Sequence, residues 1–502
     1  MGGRDRMTPT PARPDPSSLG RQDSWDGVRA VVAGFGVSGF AAADNLLFLG
    51  AEVTALDEAT SDDKAEKAEL LETLGATIRL DAGATETLPD DVDVVVTSPG
   101  WRPSAPLLAQ AAGRGIPVWG EVELAWRLRD AGPTGEPAPW LAVTGTNGKT
   151  TTVQMLDSIL RAAGLRSAAV GNVGRPIVEA VMDPEPYDVF AVELSSFQLH
   201  YTQSMSAESA AVLNLAEDHL DWYTGPQPML DYAADKGRIY HRAQRACVYN
   251  VADPQTRRLV EDADVVEGAR AIGFTLGTPG VGMLGIVEDF LADRAFVEDR
   301  STSAAELCTL SDLASQAPHF VANALAAAAL ARAHGVSQAA VRDGLKAFRP
   351  DGHRIAHVAT AGGVTWIDDS KATNPHAAMS SLQAYDSVVW VAGGLAKGAG
   401  FDDLTQKVRE RLRGVVLLGQ DRRVIADALS RHAPDVPVID IGDGETGSAM
   451  ERVVDAAARL ARPGDTVLLA PGCASMDMFA NYAARGDEFT AAVRRRLADQ
   501  DT

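Results

Sequence analysis

The sequence feature that most constrains the fold is a Gly- and Thr-rich stretch at residues 144–151, TGTNGKTT. The apolar run at 140–143 predicts a buried strand before it. Apolar residues at helical spacing follow it until Gly164, which predicts a helix that ends there. A strand, a glycine-rich turn and a helix in this order aim backbone N–H groups and the helix dipole at one point, which suits a phosphate. The chain is therefore predicted to contain a nucleotide-binding α/β unit.

The side chains of this stretch fit the same interpretation. Lys149 would contact the β- and γ-phosphates, and the Thr150 hydroxyl could ligate Mg²⁺. The spacing departs from the strict G-x-x-x-x-G-K-[ST] pattern, because Val143 occupies the position of the first glycine. The strand, the loop and the helix are nevertheless all in place, so the physical requirements are met. A Gly- and Thr-rich turn that carries an unrelated lysine remains the alternative interpretation.

The rest of the chain predicts further units of the same kind. From residue 28 onward, short β-branched runs alternate with longer helical ones, as in parallel α/β layers. A length of 502 residues suggests about three domains. We predict an α/β protein with a Rossmann-like N-terminal domain, a central P-loop-type ATPase domain with a mostly parallel sheet, and a Rossmann-like C-terminal domain. The region at 271–296 is predicted to form a small subsidiary sheet. The expected boundaries are a disordered tail at 1–24, then 25–138, 139–349 and 350–502, with a Gly- and Pro-rich linker at 130–139.

Charge and composition exclude several classes of partner. The formal net charge of −22 argues against nucleic acid and anionic membranes. No apolar run reaches the roughly 20 residues needed to span a bilayer, and the first residues lack the apolar core of a signal peptide. Cys247, Cys308 and Cys473 show no paired spacing, which indicates buried thiols in a reducing compartment. We expect a cytoplasmic monomer that acts on small molecules.

Three further polar residues lie near strand-like or helical runs. Glu193 follows the buried run at 189–192, which would place its carboxylate at the same sheet edge as Lys149. His219 lies among the carboxylates of EDHLD and could ligate a metal, although an isolated histidine is more often structural. Lys236 would pass for a surface lysine. Each residue therefore has an ordinary explanation when it is considered alone.

Several ordered blocks together give the sequence a likeness to a known family. It resembles the Mur ligases, ATP-dependent enzymes that build the stem peptide of peptidoglycan, over nearly the whole chain from residue 28. The matching blocks are TGTNGKTT (144–151), GNVG (171–174), ELSSFQL (193–199), NLAEDHLDWY (214–223), ADKGRIY (234–240), DGHR (351–354), DDSKATNP (368–375) and PGCASMDMFANYAARGDEF (471–489).

The two ends of the chain resemble the D-glutamate-adding branch of this family. They carry GFGVSG (34–39) with TSPG (97–100), and an ASxDxF…RGxxF ending, while the DNPR block of the diaminopimelate- or lysine-adding relatives is missing. The resemblance implies that ATP phosphorylates the carboxylate of UDP-N-acetylmuramoyl-L-alanine. The amine of D-glutamate would then attack the acyl phosphate, in cytoplasmic synthesis of peptidoglycan precursors.

The resemblance also implies a set of metal and catalytic residues. Thr150 and Glu193 would hold one Mg²⁺ with the ATP phosphates. His219 would hold a second Mg²⁺ together with Lys236, which the family carries as a carbamate. Asn172 would contact the carboxylate-bearing substrate near the transferred phosphoryl group, and Lys149 would neutralise that group.

Binding residues are implied by position in the same blocks. The residues expected around ATP are Gly145, Thr146, Asn147, Gly148, Lys149, Thr150, Thr151, Asn323, His353, Arg354, Asp369 and Lys371, with Phe320 standing where the family prefers Asn. The uridine diphosphate end is expected at Gly36, Val37, Ser38, Asp57, Ser98, Pro99 and Gly100, although Glu58 and Ala59 replace the hydroxyl and arginine that relatives often have. The amino acid is expected at Thr373, Lys397, Ser475, the Met476 backbone and Tyr482, where many relatives have Phe.

Other functions remain open on the residues alone. The pattern G-x-G-x-x-G at 34–39 with Asp57 after the next strand is a dinucleotide fingerprint, so an NAD-dependent oxidoreductase is one alternative. It leaves Lys149 and His219 without a role. The alanine-adding Mur enzyme or a folylpolyglutamate synthase is a nearer alternative, because the loop and metal residues serve a shared ATP half-reaction. A non-catalytic binding module would predict loss of Lys149, Glu193, His219 or Lys236, and all four are present.

Overall fold

The chain folds around three β-sheets of five, nine and six strands, which follow one another in sequence. A computed structural model describes residues 14–59, 61–132, 135–350, 352–442 and 446–500. Nearly all neighbouring strands are parallel, and helices connect most of them, because parallel strands need a crossover. The predicted mixed α/β class with mostly parallel sheets is confirmed.

The first sheet is entirely parallel, with its earliest strand at the centre. The strand order is β3-β2-β1-β4-β5. The central strands are continuous β-branched or Ala runs, as expected of strands that are buried on both faces. The elements are β1 (Arg29–Ala33), α1 (Val37–Phe48), β2 (Glu52–Leu56), α2 (Asp62–Thr73), β3 (Thr77–Arg79), β4 (Val94–Thr97), α3 (Pro106–Gly113), β5 (Val118–Gly120) and α4 (Glu121–Arg127).

The second sheet carries the Gly- and Thr-rich loop between its strand β6 and its helix α5. The strand order is β14-β13-β12-β11-β10-β9-β6-β8-β7. The elements are β6 (Trp140–Thr144), α5 (Lys149–Ala162), β7 (Ser167–Gly171), α6 (Ile177–Val181), β8 (Val189–Glu193), α7 (Ser196–His200), β9 (Ser209–Val212), α8 (Pro228–Gly237), β10 (Ala246–Asn250), α9 (Pro254–Glu261), β11 (Arg270–Phe274), β12 (Met283–Val287), β13 (Phe290–Asp293), β14 (Ala305–Thr309), α10 (Pro318–His334) and α11 (Gln338–Ala347).

The predicted subsidiary sheet at 271–296 is wrong. Strand β11 pairs in parallel with β10 along its whole length, so that this region extends the second sheet. The antiparallel pairs described in this sheet are β12 with β13 and β13 with β14. The β-rich composition identified the strands, but pairing between β10 and β11 depends on tertiary packing that local composition does not encode.

The third sheet closes the chain. Its order is β15-β16-β20-β17-β18-β19, and β15 is an antiparallel edge strand. The buried run β17 pairs in parallel with β18 and β20. The elements are β15 (Ala356–Ala361), β16 (Val364–Asp368), α12 (Pro375–Leu382), β17 (Val388–Gly393), α13 (Asp402–Val408), β18 (Leu412–Leu418), α14 (Arg422–His432), β19 (Val438–Asp440), α15 (Thr446–Leu460), β20 (Thr466–Leu469) and α16 (Tyr482–Gln500).

The segment at residues 14–24 is ordered, which corrects the predicted disordered tail for this part. The guanidinium of Arg127 donates to Ser17 O at 2.9 Å, and that of Arg21 donates to Val181 O at 2.9 Å. The buried Trp25 anchors the end of the segment, and its indole N–H donates to Gly20 O. The polar composition of this segment predicted disorder, because composition does not show contacts with residues far away in the chain. Residues 1–13 of the predicted tail lie outside the described residues.

Helix α4 fastens the first sheet to the second with two buried carboxylates. Glu121 accepts the Val178 N–H of α6 at 2.8 Å, and Glu123 accepts the N–H groups of Gln203 and Ser204 at 2.8 and 2.9 Å. The two sheets also share one hydrophobic cluster. Buried carboxylates that receive backbone donors hold a fixed geometry, so the first and second sheets are expected to move little against each other.

The three cysteines are buried thiols, as predicted. Burial raises the pKa of each to about 12, so they are protonated and unreactive near neutral pH. Among the helices that the structure describes, none combines the length and the apolar character needed to cross a membrane.

Candidate active site

The Gly- and Thr-rich loop is held open as a cradle by its neighbours. Gly145 and Gly148 have φ angles of 148° and 85°, and Gly148 caps the N-terminus of α5. Asn214, at the end of the adjacent strand, accepts the Asn147 N–H with its Oδ1 at 2.8 Å and donates to Asn147 O at 3.0 Å. A second link joins Thr146 N to Asn214 O at 3.0 Å. The loop is thus preorganised at a helix N-terminus, as phosphate binding requires.

Lys149 closes back on this loop. Its Nζ donates to Gly145 O at 2.9 Å and to Thr146 O at 3.0 Å. Burial lowers the pKa of Lys149, against the opposing negative charges of Glu193 and Asp218, and the positive charges of Lys371 and Arg354 add to the lowering. Neutral carbonyls are poor partners for an ammonium in a buried site, so a phosphate in the cradle would be a stronger one.

Glu193 ends strand β8 directly beside the loop. It is level with Val143 in the register between β6 and β8, which explains why the predicted proximity to Lys149 holds. Its side chain is buried, and Oε1 accepts the Asn172 Nδ2–H at 2.9 Å. Its other oxygen, Oε2, has no hydrogen-bond partner among the described residues. A buried carboxylate oxygen without a partner is costly, which points to a ligand at this position.

Lys236 is fully enclosed on the neighbouring helix α8. It is 2% exposed, and its Nζ donates to Gly145 O at 2.9 Å. The amine also lies 4.7 Å from the centre of the Tyr232 ring, whose hydroxyl contacts Thr146 Oγ1 at 2.9 Å. Burial lowers the pKa of Lys236 well below its ordinary range, and the charge of Lys149 adds to the effect. Lys236 is therefore not the surface lysine that composition alone would suggest.

His219 occupies a strained backbone position between acidic neighbours. Its φ angle is 53°, a left-handed conformation that is uncommon for a non-glycine residue. The ring packs edge-on against Phe197 with centroids 5.2 Å apart, and Nε2 is 3.6 Å from Asp218 Oδ1. Burial lowers the pKa of His219, which favours the neutral imidazole that metals bind.

The four residues predicted as metal ligands could supply only part of the ligand shell of Mg²⁺. They are Thr150, Glu193, His219 and Lys236. Within the described ranges, no group of three or more His, Cys, Asp or Glu side chains is arranged to hold a metal by itself. Mg²⁺ commonly takes only one or two protein carboxylates and completes its shell with phosphate oxygens and water. The unpaired Oε2 of Glu193, beside a phosphate cradle, suits that pattern.

A cavity continues from the loop toward the third sheet. Asn147 and Gly148 line it on one side, Phe320 and Asn323 lie on α10, and Arg354 contributes from the third unit. The loop is tied across this gap, because Asn147 Nδ2 is 3.0 Å from His376 Nδ1 and Asn374 Nδ2 donates to Asn147 Oδ1 at 3.0 Å. The cavity therefore brings together residues predicted around ATP from two sheets.

The third unit contributes the buried acid Asp369 and the cations Arg354 and Lys371 to this region. Asp369 accepts the Ser381 hydroxyl and the Ile355 N–H, and burial raises the pKa of Asp369 to about 7. Lys371 Nζ lies 3.7 Å from the centre of the Tyr482 ring. His353 faces away from the cavity lining toward Asp368, with Nδ1 and Oδ2 2.6 Å apart. The expected place of His353 near ATP stays a prediction, and its imidazole is held here by the Asp368 carboxylate.

The residues predicted for the amino acid lie on two adjoining segments. Leu395 and Ala474 exchange backbone hydrogen bonds of 2.9 Å, which sets Lys397 and Ser475 on neighbouring strands of chain. Ser475 is buried, while Met476 is 67% exposed. Thr373 follows Lys371 in the loop before α12, with its N–H bonded to Lys371 O at 2.8 Å. The positive charge of Lys397 adds to the lowering of the His219 pKa by burial, so Lys397 lies near this predicted metal ligand.

The first sheet places its predicted residues around the N-terminus of α1. Gly36 caps this helix, and Val37 is 66% exposed at its first position. Ser38 follows it, and the remaining predicted residues Ser98, Pro99 and Gly100 come from the end of β4. Ser98 Oγ donates to Gly34 O at 3.0 Å, so the two loops touch.

Asp57 has internal partners in this structure. Its Oδ2 accepts the Phe35 N–H at 2.7 Å and the Lys64 ammonium at 2.8 Å, and Oδ1 accepts the Ala59 N–H. Burial opposes ionisation of Asp57, but these donors outweigh it and lower the pKa. Asp57 therefore shapes the loop around α1, and a direct contact with substrate stays a prediction.

Sequence reasoning missed residues that support the site indirectly. Asn214 holds the loop, Tyr232 lies under Lys236, and His376 contacts Asn147. One signal was available for Tyr232, since it precedes Lys236 by four residues, a spacing that places two side chains on the same face of a helix. The contact of His376 required the relative placement of two sheets, which the sequence pattern does not contain.

Replacement of Gly148 by alanine is expected to raise the KM for ATP about tenfold. The φ angle of +85° disfavours any side chain, and a Cβ would lie 2.4 Å from Asn323 Oδ1, in the predicted adenine pocket. Gly164→Ala is the matched control, because Gly164 ends the same helix with a φ of +80° but meets nothing within 4 Å. Steady-state kinetics would show an unchanged KM for this control. An equal effect of both changes would contradict the argument.

Comparison with known domain families identifies the class of protein. The model for the Mur ligase middle domain matches residues 143–331, and the model for the Mur ligase, glutamate ligase domain matches residues 353–473. The first match contains the loop, Glu193, His219 and Lys236, and the second contains Asp369 and Lys397. The fold and the site thus define a Mur-type ligase.

Whole-chain comparisons agree. A Streptomyces avermitilis protein is 62% identical over 94% of this chain and 99% of its own length, and one from Thermobifida fusca is 55% identical over 93% and 98%. Both are named UDP-N-acetylmuramoylalanine–D-glutamate ligase. The chain belongs to the Mur ligase family. The solved pseudomurein peptide ligase type C from Methanothermus fervidus has the same fold, with a TM-score of 0.56 at 16% identity, over 93% of this chain and 99% of that one.

Proposed function

We propose that this chain joins D-glutamate to UDP-N-acetylmuramoyl-L-alanine at the expense of ATP, in the synthesis of peptidoglycan precursors. The observation that carries the proposal is the meeting of four groups at one sheet edge. They are the phosphate cradle, the Lys149 ammonium, the unpaired Glu193 Oε2 and the enclosed Lys236 amine. The names of relatives that are 55–62% identical over the chain support the choice of substrates.

The chemistry follows from charge. ATP transfers its γ-phosphoryl group to the substrate carboxylate, which breaks the bond to ADP and gives an acyl phosphate. The amine then attacks the acyl carbon and phosphate leaves, so that an amide forms. Each stage crowds negative oxygens together, so the protein has mainly to neutralise and orient them. Lys149 supplies a cation at the cradle, while Lys371 and Arg354 lie close enough to act on its pKa.

Thr150 and Glu193 would hold one Mg²⁺ beside the cradle, and His219 and Lys236 would hold a second. When bound, the ions screen the phosphate oxygens. For Lys236 to serve, its neutral amine must add to CO₂, forming an N–C bond and releasing a proton, because an ammonium cannot ligate a cation. The enclosed position supports this, since the hydrogen-bond acceptors of Nζ are the uncharged Gly145 O and Thr144 Oγ1. The carbamate would place an anionic oxygen donor next to the positive charge of Lys149.

The three sheets would then divide the work. We assign the uridine diphosphate end to 25–138, ATP to 139–349 and the amino acid to 350–502, with Thr373, Lys397, Ser475 and the Met476 backbone receiving the carboxylates of D-glutamate. The hydroxyl of Tyr482 would lie near this site, because the Tyr482 ring covers Lys371. A cytoplasmic monomer suffices for this arrangement, because each predicted group comes from one chain.

The direct test is a phosphate-release assay with UDP-N-acetylmuramoyl-L-alanine, ATP and Mg²⁺. D-Glutamate is offered against L-glutamate, L-alanine and glycine. Turnover with D-glutamate alone is expected. Turnover with another amino acid but not with D-glutamate would overturn the assignment and favour another member of the superfamily. Tight binding of NAD without turnover would favour the dinucleotide alternative.

A further inference from the structure

Two loops that come from different sheets are joined beside the predicted metal site. The first is residues 98–102, called here the β4 loop, and the second is residues 217–223, called the His219 loop. Trp222 Nε1 donates to Gly100 O at 2.9 Å, and the Arg102 guanidinium lies 3.1 Å from Asp221 Oδ2. The ion pair is half exposed on both sides and contributes little. The buried indole is therefore the main link between these two loops.

The same indole is in contact with the support of His219. Its rings pack against Phe197 with centroids 5.0 Å apart, and Phe197 packs edge-on against the His219 imidazole at 5.2 Å. The Trp222 backbone N–H also donates to His219 O at 3.0 Å. His219 has a left-handed backbone, a conformation that persists only where the surroundings hold it. Trp222 supplies part of that surrounding from both its ring and its backbone.

We infer that Trp222 is a positioning residue that couples the β4 loop, where the uridine diphosphate end is proposed to bind, to the orientation of His219. The inference rests on the proposed function for its substrate but not for the contacts. Substrate bound at the β4 loop would hold Gly100 in place. Gly100 O accepts the indole N–H of Trp222, and the indole in turn supports Phe197 and His219. Binding in the first unit is thereby linked to the geometry of the metal-ligand residues.

Tyr201 provides a matched comparison. Its hydroxyl donates to Trp101 O at 2.8 Å, so it makes a similar bond to the next residue of the β4 loop. Its ring packs against His200, which itself packs against Trp222, but its hydroxyl bond reaches the loop without passing through the indole. Loss of this hydroxyl should therefore loosen the β4 loop while leaving the indole's own contacts with Gly100 and Phe197 in place.

The experiment uses the full chain and three variants. Trp222→Phe keeps a ring against Phe197 and removes the indole N–H, Trp222→Leu removes the aromatic contact as well, and Tyr201→Phe removes the other bond. Amide hydrogen exchange is measured without ligands, and steady-state kinetics are measured with UDP-N-acetylmuramoyl-L-alanine, ATP and varied Mg²⁺. Thermal unfolding of each variant verifies that it is folded at the assay temperature.

Exchange at 217–223 is expected to rise in both Trp222 variants, and at 98–102 in all three. Trp222→Phe and Tyr201→Phe should raise the KM for the uridine substrate about fivefold, the loss of one hydrogen bond. Only Trp222→Leu should lower kcat more than tenfold and raise the Mg²⁺ concentration needed for half-maximal rate. Unchanged exchange at 217–223 in Trp222→Phe, or an unchanged Mg²⁺ dependence in Trp222→Leu, would overturn the coupling. Since exchange needs no turnover, an inactive wild type would reject the proposed function while the exchange data still decide the coupling.

Discussion

Replacement of Lys149 by methionine is expected to lower kcat by roughly 10³-fold, because it removes the cation that we propose neutralises the transferred phosphoryl group. The methionine side chain has nearly the length and the apolar stem of lysine, so the packing of the loop changes little. Among the described residues, the ammonium donates to the carbonyls of Gly145 and Thr146, which belong to its own loop. The fold should therefore tolerate the loss, and the effect should fall on phosphate chemistry. Phosphate release at saturating ATP measures it.

Lys407→Met is the matched control for this change. Lys407 lies on α13 and pairs with Asp403 at the surface, with half of its side chain exposed. Its kcat should stay within about twofold of wild type, as exposed pairs contribute little. A Lys149→Met variant that is folded and retains more than a tenth of wild-type kcat would rule out the phosphate role of Lys149.

Replacement of Lys236 by alanine is expected to abolish turnover, with partial recovery when formate or acetate is added. The reason is that a small carboxylate can enter the space left by the side chain and provide the oxygen donor that we assign to the carbamate. A ¹³C signal in the carbamate range from protein equilibrated with labelled bicarbonate should also be seen in the wild type and lost in this variant. This second measurement does not depend on activity.

Lys149→Met provides the contrast for the rescue experiment, because a carboxylate cannot replace a cation. Formate should leave that variant inactive. If Lys236→Ala were fully active, or if the labelled signal were the same with and without Lys236, the carbamate assignment would fail. Glu193 and His219 would then have to hold the metal ions without it.

Most strands were predictable because they are buried on both faces and appear as continuous apolar runs. The strand predicted at 140–143 is β6 (Trp140–Thr144), and the helix predicted to end at Gly164 is α5, which ends two residues earlier at Ala162. The phosphate loop was predictable for a similar reason. Glycines with positive φ at 145 and 148, placed between a strand and a helix, leave few other conformations for the backbone.

Pairing between distant segments was not predictable from local pattern. The strands at 270–293 were recognised as β structure, yet their attachment to β10 was not, because an apolar alternation does not specify its neighbour. The prediction of disorder at 14–24 was wrong for the converse reason. The polar composition of this segment suggested disorder, whereas Arg21 and Trp25 bind it to carbonyls and core that lie elsewhere in the chain.

The sequence by itself determined the phosphate loop, the α/β class and the resemblance to the Mur ligases, since each depends on short, ordered motifs. Only the tertiary structure decided that Lys236 is enclosed, that Glu193 Oε2 has no partner within the described ranges and that Trp222 joins two loops. Burial and hydrogen-bond satisfaction are set by strand order and by the approach of residues far apart in the chain. The physical reason is that a motif specifies a local backbone, while a site requires distances between motifs.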